Sequence, residues 1–272
     1  MSPAGDAELL VRARCVLLDA LAALDAQRDA LVLVGAQAIY LHTASVEFTV
    51  DETTKDSDLA IDTRALRSTP KLEEAMTQAG FHRDVTQPGS WLSDDGIPVD
   101  LMVPEALSGT GGRRGARIPP HSSKAARRTP GLEAAVVDNE PMPIHSYDPT
   151  DPRQATVKVA GPAALLVAKL HKLGERASQP DRLVDKDAHD IYRLLVATET
   201  AALARRLNAL MADEIAGATT GTAVDYLREL FSGPAALGPT MVGRAEELTG
   251  DPAVATASAA FLAQDLRAAI GR

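Results

Sequence analysis

Thr54-Lys55-Asp56-Ser57-Asp58-Leu59-Ala60-Ile61-Asp62 sets two aspartates two residues apart at the head of an apolar run. Alternate side chains of a strand share a face, so Asp56 and Asp58 are expected to stand together. Two neighbouring carboxylates repel unless a cation lies between them, and hard oxygen ligands suit Mg²⁺ or Mn²⁺. Phosphoryl or nucleotidyl transfer is the chemistry that uses such a pair. Asp-x-Asp also suits a solvated turn, so the choice falls to the rest of the chain.

Upstream, Leu31-Val32-Leu33-Val34 is a short apolar strand pattern ending at Gly35-Ala36, after which Gln37 to His42 reads as a helix. Strand, glycine turn and helix together can present backbone N–H groups to a phosphate, although an ordinary β-α turn has the same pattern. Downstream, Gly96 to Val103 reads as a buried strand with Asp100 in its middle. A carboxylate inside an apolar run needs either a metal or a hydrogen-bonding or ionic partner.

Farther along, Gly161-Pro162 opens a helix that carries Lys169, with Arg176 two turns later near the same face. The next helix begins around Arg182 to Leu195. Asp187 and Asp190 are spaced i, i+3 and Lys186 and Asp190 i, i+4, which gives a densely charged face. Surface ion pairs on a solvated helix would produce the same pattern.

Taken together, these four segments resemble the AbiEii-type nucleotidyltransferase toxins of type IV toxin–antitoxin systems, within the polymerase-beta-like nucleotidyltransferase superfamily. The family pattern is a glycine-led turn, Ser/Thr-x-Asp-x-Asp, a lone acidic residue on a later strand and a lysine-to-arginine helix. It closes with Arg-x-x-x-Lys-Asp-x-x-Asp-apolar-x-x-Leu, matched here by Arg182, Lys186, Asp187, Asp190, Ile191 and Leu194. The resemblance spans residues 31 to 195 and stops short of the last seventy or so.

The resemblance implies attack of a hydroxyl on the α-phosphate of a nucleoside triphosphate, with release of pyrophosphate. It implies that Asp56 and Asp58 hold Mg²⁺ or Mn²⁺, and that Asp100 completes the metal site or acts as base. Lys169 would neutralise the departing phosphates with Arg176 behind it, and Asp190 would orient Lys169 or a nucleotide base. Nucleotide contacts would fall on Gly35, Ala36, Thr54, Lys169 and Arg176. This chain departs from the pattern at Ala36, where the family usually has Gly or Ser, and at Thr53, where it has arginine. The span from Gly35 to Asp56 is also longer than usual, and Ser45 or backbone N–H groups would have to replace the missing hydroxyl. These departures bear on nucleotide affinity more than on metal binding.

The chain has 272 residues, of which 45% are hydrophobic, enough to bury a substantial core. One cysteine, Cys15, excludes an intramolecular disulfide and a four-cysteine zinc site. No apolar run approaches the roughly 18 residues of a membrane span, and the acidic N-terminus lacks the basic flank of a signal peptide. A cytoplasmic protein without membrane contact is therefore expected. The net charge of −9 argues against broad nucleic-acid coating, yet Arg113, Arg114, Arg117, Lys124, Arg127 and Arg128 face the single acid Glu105 between positions 105 and 130. That segment could grip the phosphates of an RNA end, such as that of a tRNA, or form a flexible glycine- and proline-rich surface loop.

The expected fold is α+β, with a small mixed-sheet nucleotidyltransferase core over 1–160. A helical bundle over 161–272 would then bring Lys169 and Asp190 to a cleft between the two. Strands are expected at 31–34, 57–62, 98–103, 133–137 and 155–159, with helices at 7–28, 36–43 and 70–79. The helical half is expected to comprise 161–175, 186–198, 200–216, 221–232, 239–248 and 253–270. Three functions stay open. The first is a toxin-type enzyme modifying RNA or protein and neutralised by an antitoxin. The others are an antibiotic-type small-molecule nucleotidyltransferase and a non-catalytic nucleotide- or partner-binding member of the fold.

Overall fold

The computed structural model describes residues 3–46, 48, 54–109 and 114–271. The chain divides into two compact units, Met1–Ala38 with Glu52–Ala160, and Ile39–Asp51 with Gly161–Arg272. Together their elements make an α+β protein: a mixed sheet in the first unit and a helical bundle in the second.

The sheet is built from β1 (Leu31–Val34), β2 (Ser57–Ile61), β3 (His82–Arg83), β4 (Ser90–Leu92), β5 (Pro98–Pro104), β6 (Arg127–Thr129), β7 (Asn139–His145) and β8 (Gln154–Ala160). Their spatial order is β3-β4-β5-β2-β1-β8-β7, with β6 also pairing β5. The central strands β1, β2 and β5 are rich in Leu, Val and Ile and almost wholly buried, as expected of strands covered on both faces. Helix α1 (Pro3–Ala23) packs on β2, β5 and β8 and on α3 (Leu72–Gln78). It buries Leu17 and Leu21, and Leu24 just after it is buried as well. Arg14 is buried with them because its Nε donates to Gln37 Oε1 at 2.8 Å and its Nη1 to the His145 carbonyl at 3.0 Å.

The expected strand at 133–137 is a correction: this apolar stretch folds as successive turns. Ala135 N–H bonds Leu132 O, and Asp138 N–H bonds Ala134 O. The buried Glu133 side chain fixes the turn by accepting from Gly131 and Ala106 N–H. The strand lies further on, at β7, whose Pro141 and Pro143 weaken its pattern in sequence but suit a sheet edge, where no ladder donor is needed.

The second unit contains α4 (Pro162–Arg176), α5 (Asp185–Ala197), α6 (Thr200–Met211), α7 (Gly217–Leu230), α8 (Leu237–Ala245) and α9 (Pro252–Ala269). Small residues set how closely these helices approach. A Cβ on Gly174 would strike the Tyr226 ring between α4 and α7, and one on Gly243 would strike Thr256 between α8 and α9. Asp251 caps α9 by accepting from Ala253 and Val254 N–H, and Pro252 occupies the first turn. The helix expected over 200–216 stops at Met211 because the Asp213 carboxylate takes the Ile215 and Ala216 N–H groups and starts α7.

Candidate active site

Two register pairs assemble an acidic face in the first unit. β2 runs antiparallel to β1 with Asp58 opposite Val34, and parallel to β5 with Asp58 opposite Asp100. In-register neighbours point to one face, so Asp58 and Asp100 lie side by side, and Asp56, just ahead of β2, is near enough for its charge to act on Asp100. Gly35 follows β1 and opens α2 (Gly35–Thr43) with φ of 71°. A Cβ there would run into the Asp58 carboxylate, so glycine is required by both backbone and space. Ala36 behind it is buried.

A polar framework holds the Asp56 end. Thr54 Oγ1 donates to Asp56 Oδ1 at 2.6 Å. Gln37 Nε2 donates to Ser57 Oγ at 2.6 Å and to the Asp56 carbonyl at 3.3 Å, and is itself anchored by Arg14. Buried side-chain networks of this kind fix geometry when every member is satisfied.

Asp100 is buried and partnered by Arg127, with Nη1 to Oδ2 at 2.9 Å; Gln87 Nε2 lies 3.4 Å from the same oxygen. Its other oxygen, Oδ1, is buried with no hydrogen-bond partner among the described residues. Burial raises the Asp100 carboxyl above the usual carboxylate range. Arg127 and Ser90 pull it back, while the charge of Asp56 adds to the rise.

Among the described residues, no three His, Cys, Asp or Glu side chains stand ready-formed around an ion position. The donor set still fits a hard divalent cation in two respects. Asp58 and Asp100 offer carboxylate oxygens on one face with Asp56 close by, and a buried oxygen of Asp100 lacks a partner among the described residues. The Arg127 guanidinium stands on the other oxygen of the same carboxylate.

In the second unit, Lys169 lies buried between Asp190 Oδ2 at 2.6 Å and Asp187 Oδ1 at 3.0 Å. Lys172 and Arg176 also pair with Asp187, at 2.9 and 3.2 Å, and Lys186 pairs with Asp190 at 3.1 Å. Burial alone would lower the Lys169 ammonium pKa, but the two aspartates outweigh it and raise it. Burial would raise Asp187, yet Lys169 and Lys172 bring it down to about 2. Four cations thus surround two carboxylates, leaving positive charge in excess. Lys186 also stands 5.4 Å from the Tyr40 ring centre, and Arg193 is 4.3 Å from that of Phe48.

The basic segment is not simply a solvated loop. Ala116, Ile118, Ala125 and Ala126 are buried, Arg127 pairs with Asp100, and Arg128 pairs with Glu105. Arg117 lines a cavity of about 290 Å³ with Thr63, Pro120 and His121. Arg114 and Lys124 are exposed, and Arg113 lies outside the described residues. Gln37, Gln87 and Lys172 were not identifiable as site residues from spacing and Arg127 was expected only as an RNA contact; the pairing of β4 and β6 with β5 and the packing of α4 on α5 bring Gln87, Arg127 and Lys172 to the carboxylates from a distance.

No curated protein and no solved structure gives a significant match to the sequence. A family model described as Nucleotidyltransferase matches residues 13–218, a span that takes in β1, Gly35, Asp56, Asp58, Asp100, Lys169 and Asp190, and the chain therefore belongs to that nucleotidyltransferase family.

Proposed function

We propose that the protein is a divalent-metal-dependent nucleotidyltransferase of the toxin type, transferring a nucleotide from a nucleoside triphosphate to a hydroxyl of RNA or to a protein side chain. The observation that carries the metal site is the Asp58–Asp100 register beside Gly35, together with the unpartnered buried oxygen of Asp100. Asp56, Asp58 and Asp100 would hold Mg²⁺ or Mn²⁺, which supplies charge stabilisation at the α-phosphate and lowers the pKa of the attacking hydroxyl. Thr54 fixes the Asp56 carboxylate. Gly35 leaves room for the Asp58 carboxylate at the start of α2. Asp100, in register with Asp58, would be the carboxylate that accepts the proton of the acceptor hydroxyl. The excess positive charge of Lys169, Lys172, Arg176 and Lys186 supports a contact with phosphate in the second unit.

The toxin assignment, with a neutralising antitoxin as partner, rests on the match of Arg182, Lys186, Asp187, Asp190, Ile191 and Leu194 to the family pattern. One observation favours a smaller, antibiotic-like acceptor. Arg127 and Arg128 are spent on Asp100 and Glu105, which draws two of the segment's cations away from RNA.

The test incubates the protein and its Asp58→Asn variant with each labelled nucleoside triphosphate, Mg²⁺, total RNA and protein, and in parallel with aminoglycosides. Label in RNA or protein that falls by about a hundredfold or more in the variant is the expected result. Equal labelling by the variant refutes the site. Label found only on aminoglycoside-like small molecules transfers the assignment to the second reading.

A further inference from the structure

We propose that Arg127 is a displaceable counter-cation at the acidic face: it holds Asp100 while no metal is bound, and it turns to the phosphates of the nucleoside triphosphate when a metal takes its place. This inference rests on the metal-dependent reading above. Its starting point is the register of β6. Arg127 lies opposite Met102, and Met102 and Asp100 are two residues apart on β5, so Arg127 faces the same side of the sheet as Asp100 and Asp58. Arg128, one residue on, points the other way and pairs with Glu105. Only one of the two arginines can therefore serve the acidic face.

The pairing itself is incomplete. A guanidinium can meet a carboxylate with two parallel N–H groups, yet here one nitrogen, Nη1, reaches Oδ2 at 2.9 Å. Nη2 lies 3.1 Å from the Met102 sulfur, a weak acceptor, and among the described residues no group, Ser90 across on β4 included, meets Asp100 Oδ1 with hydrogen-bond geometry. A buried ion pair contributes stability only when its remaining lone pairs and protons are also satisfied. This one satisfies neither partner fully, and the Arg127 side chain keeps about a quarter of its surface exposed, at 27%. Structural arginines elsewhere in the unit are bound more completely: Arg14 donates to Gln37, His145 and Tyr147. A divalent ion on the Oδ1 side of Asp100 repels the Arg127 guanidinium that sits on Oδ2 of the same carboxylate. The freed fork then lies on the face where a metal-bound triphosphate carries its negative charge, and it suits that geometry better than a lysine.

The test measures Mn²⁺ binding by electron paramagnetic resonance of the free ion, with and without an α,β-methylene nucleoside triphosphate, and measures binding of the analogue by calorimetry. Wild type is compared with Arg127→Gln, Arg127→Met and Asp58→Asn, each checked for folding by circular dichroism; methionine suits the site beside Met102 if glutamine is not tolerated. Removing one positive charge beside the ion position is expected to tighten Mn²⁺ binding to the nucleotide-free protein by about tenfold or more in both Arg127 variants. The same variants should bind the analogue in Mn²⁺ about tenfold more weakly. Unchanged or weaker Mn²⁺ binding refutes the counter-cation role, and wild-type affinity for the analogue refutes the move to phosphate and leaves a structural pair. If Asp58→Asn binds Mn²⁺ as well as wild type does, or if no protein binds it, the metal-dependent reading fails, and the inference with it.

Discussion

Replacing Lys169 by methionine separates what this residue does for the fold from what it does for the reaction. Its ammonium lies within 3.0 Å of Asp187 and 2.6 Å of Asp190, and Asp190 is 1% exposed. Methionine fills much of the volume but leaves Asp190 with Lys186 alone, while Asp187 keeps Lys172 and Arg176. Removing one member of a buried ion pair costs about 3–5 kcal/mol, because the abandoned charge stays desolvated. The upper part of that range applies to Asp190 and the lower part to Asp187, which retains two cations. Urea unfolding followed by helical circular dichroism should therefore show a loss of about 3 kcal/mol or more in Lys169→Met. Adding Asp190→Asn should restore part of it, since the two changes share one contact and cannot add. A Lys169→Met protein within about 1 kcal/mol of wild type would refute the reading of Lys169 as the buried counter-ion of Asp187 and Asp190. The same measurement decides how lost activity is read. A drop in transfer by folded, denaturant-titrated Lys169→Met reports a phosphate contact, whereas a drop matched by unfolding reports the ion pair.

Gly35→Ala should destabilise the protein by about 1–2 kcal/mol, because alanine resists a φ of 71°, and it should weaken Mn²⁺ binding as well, because the new Cβ displaces the Asp58 carboxylate; an alanine variant with wild-type Mn²⁺ affinity would show that Asp58 is not a ligand. Acid should weaken the second unit through Asp187. Its folded pKa, about 2, lies below the ordinary 3.8, so the stabilisation is complete above about pH 4 and is lost as pH falls toward 2. The shift corresponds to about 2 kcal/mol, and Asp187→Asn, already without it, should show a flatter stability profile across that window.

The centre of the sheet was legible from residue type because β1, β2 and β5 are apolar runs of four to seven consecutive residues, whereas β3, β4, β6 and β7 were not expected. The neighbouring positions of Asp58 and Asp100 were only implicit, since sequence spacing says nothing about which strands pair in parallel. Arg127 shows the limit most clearly. Counted along the chain it was one of six cations in a glycine-rich stretch, a pattern that reads as solvent-facing charge. Three residues of β6 pair with the end of β5, and that alone carries it to 2.9 Å from Asp100. Charge composition reports how many cations a segment holds, but the ladder decides which of them face the acids.

The helical half misleads in the opposite direction. Lys186-Asp187-x-x-Asp190 has the i, i+3 and i, i+4 spacings of a salt-laced surface helix, where each pair contributes little. Here α4 delivers Lys169 and Lys172 against α5, so the same spacing encloses two buried carboxylates among four cations. Burial turns weak surface pairs into a network whose members depend on one another. Its excess charge is held on Lys172, Arg176 and Lys186, the more exposed members, while Lys169 is tied to both aspartates. An incoming anion would meet those three side chains before it met Lys169. A phosphate role for Lys169 then requires it to act through the network, by keeping Asp187 and Asp190 ionised and fixed, as much as by direct contact.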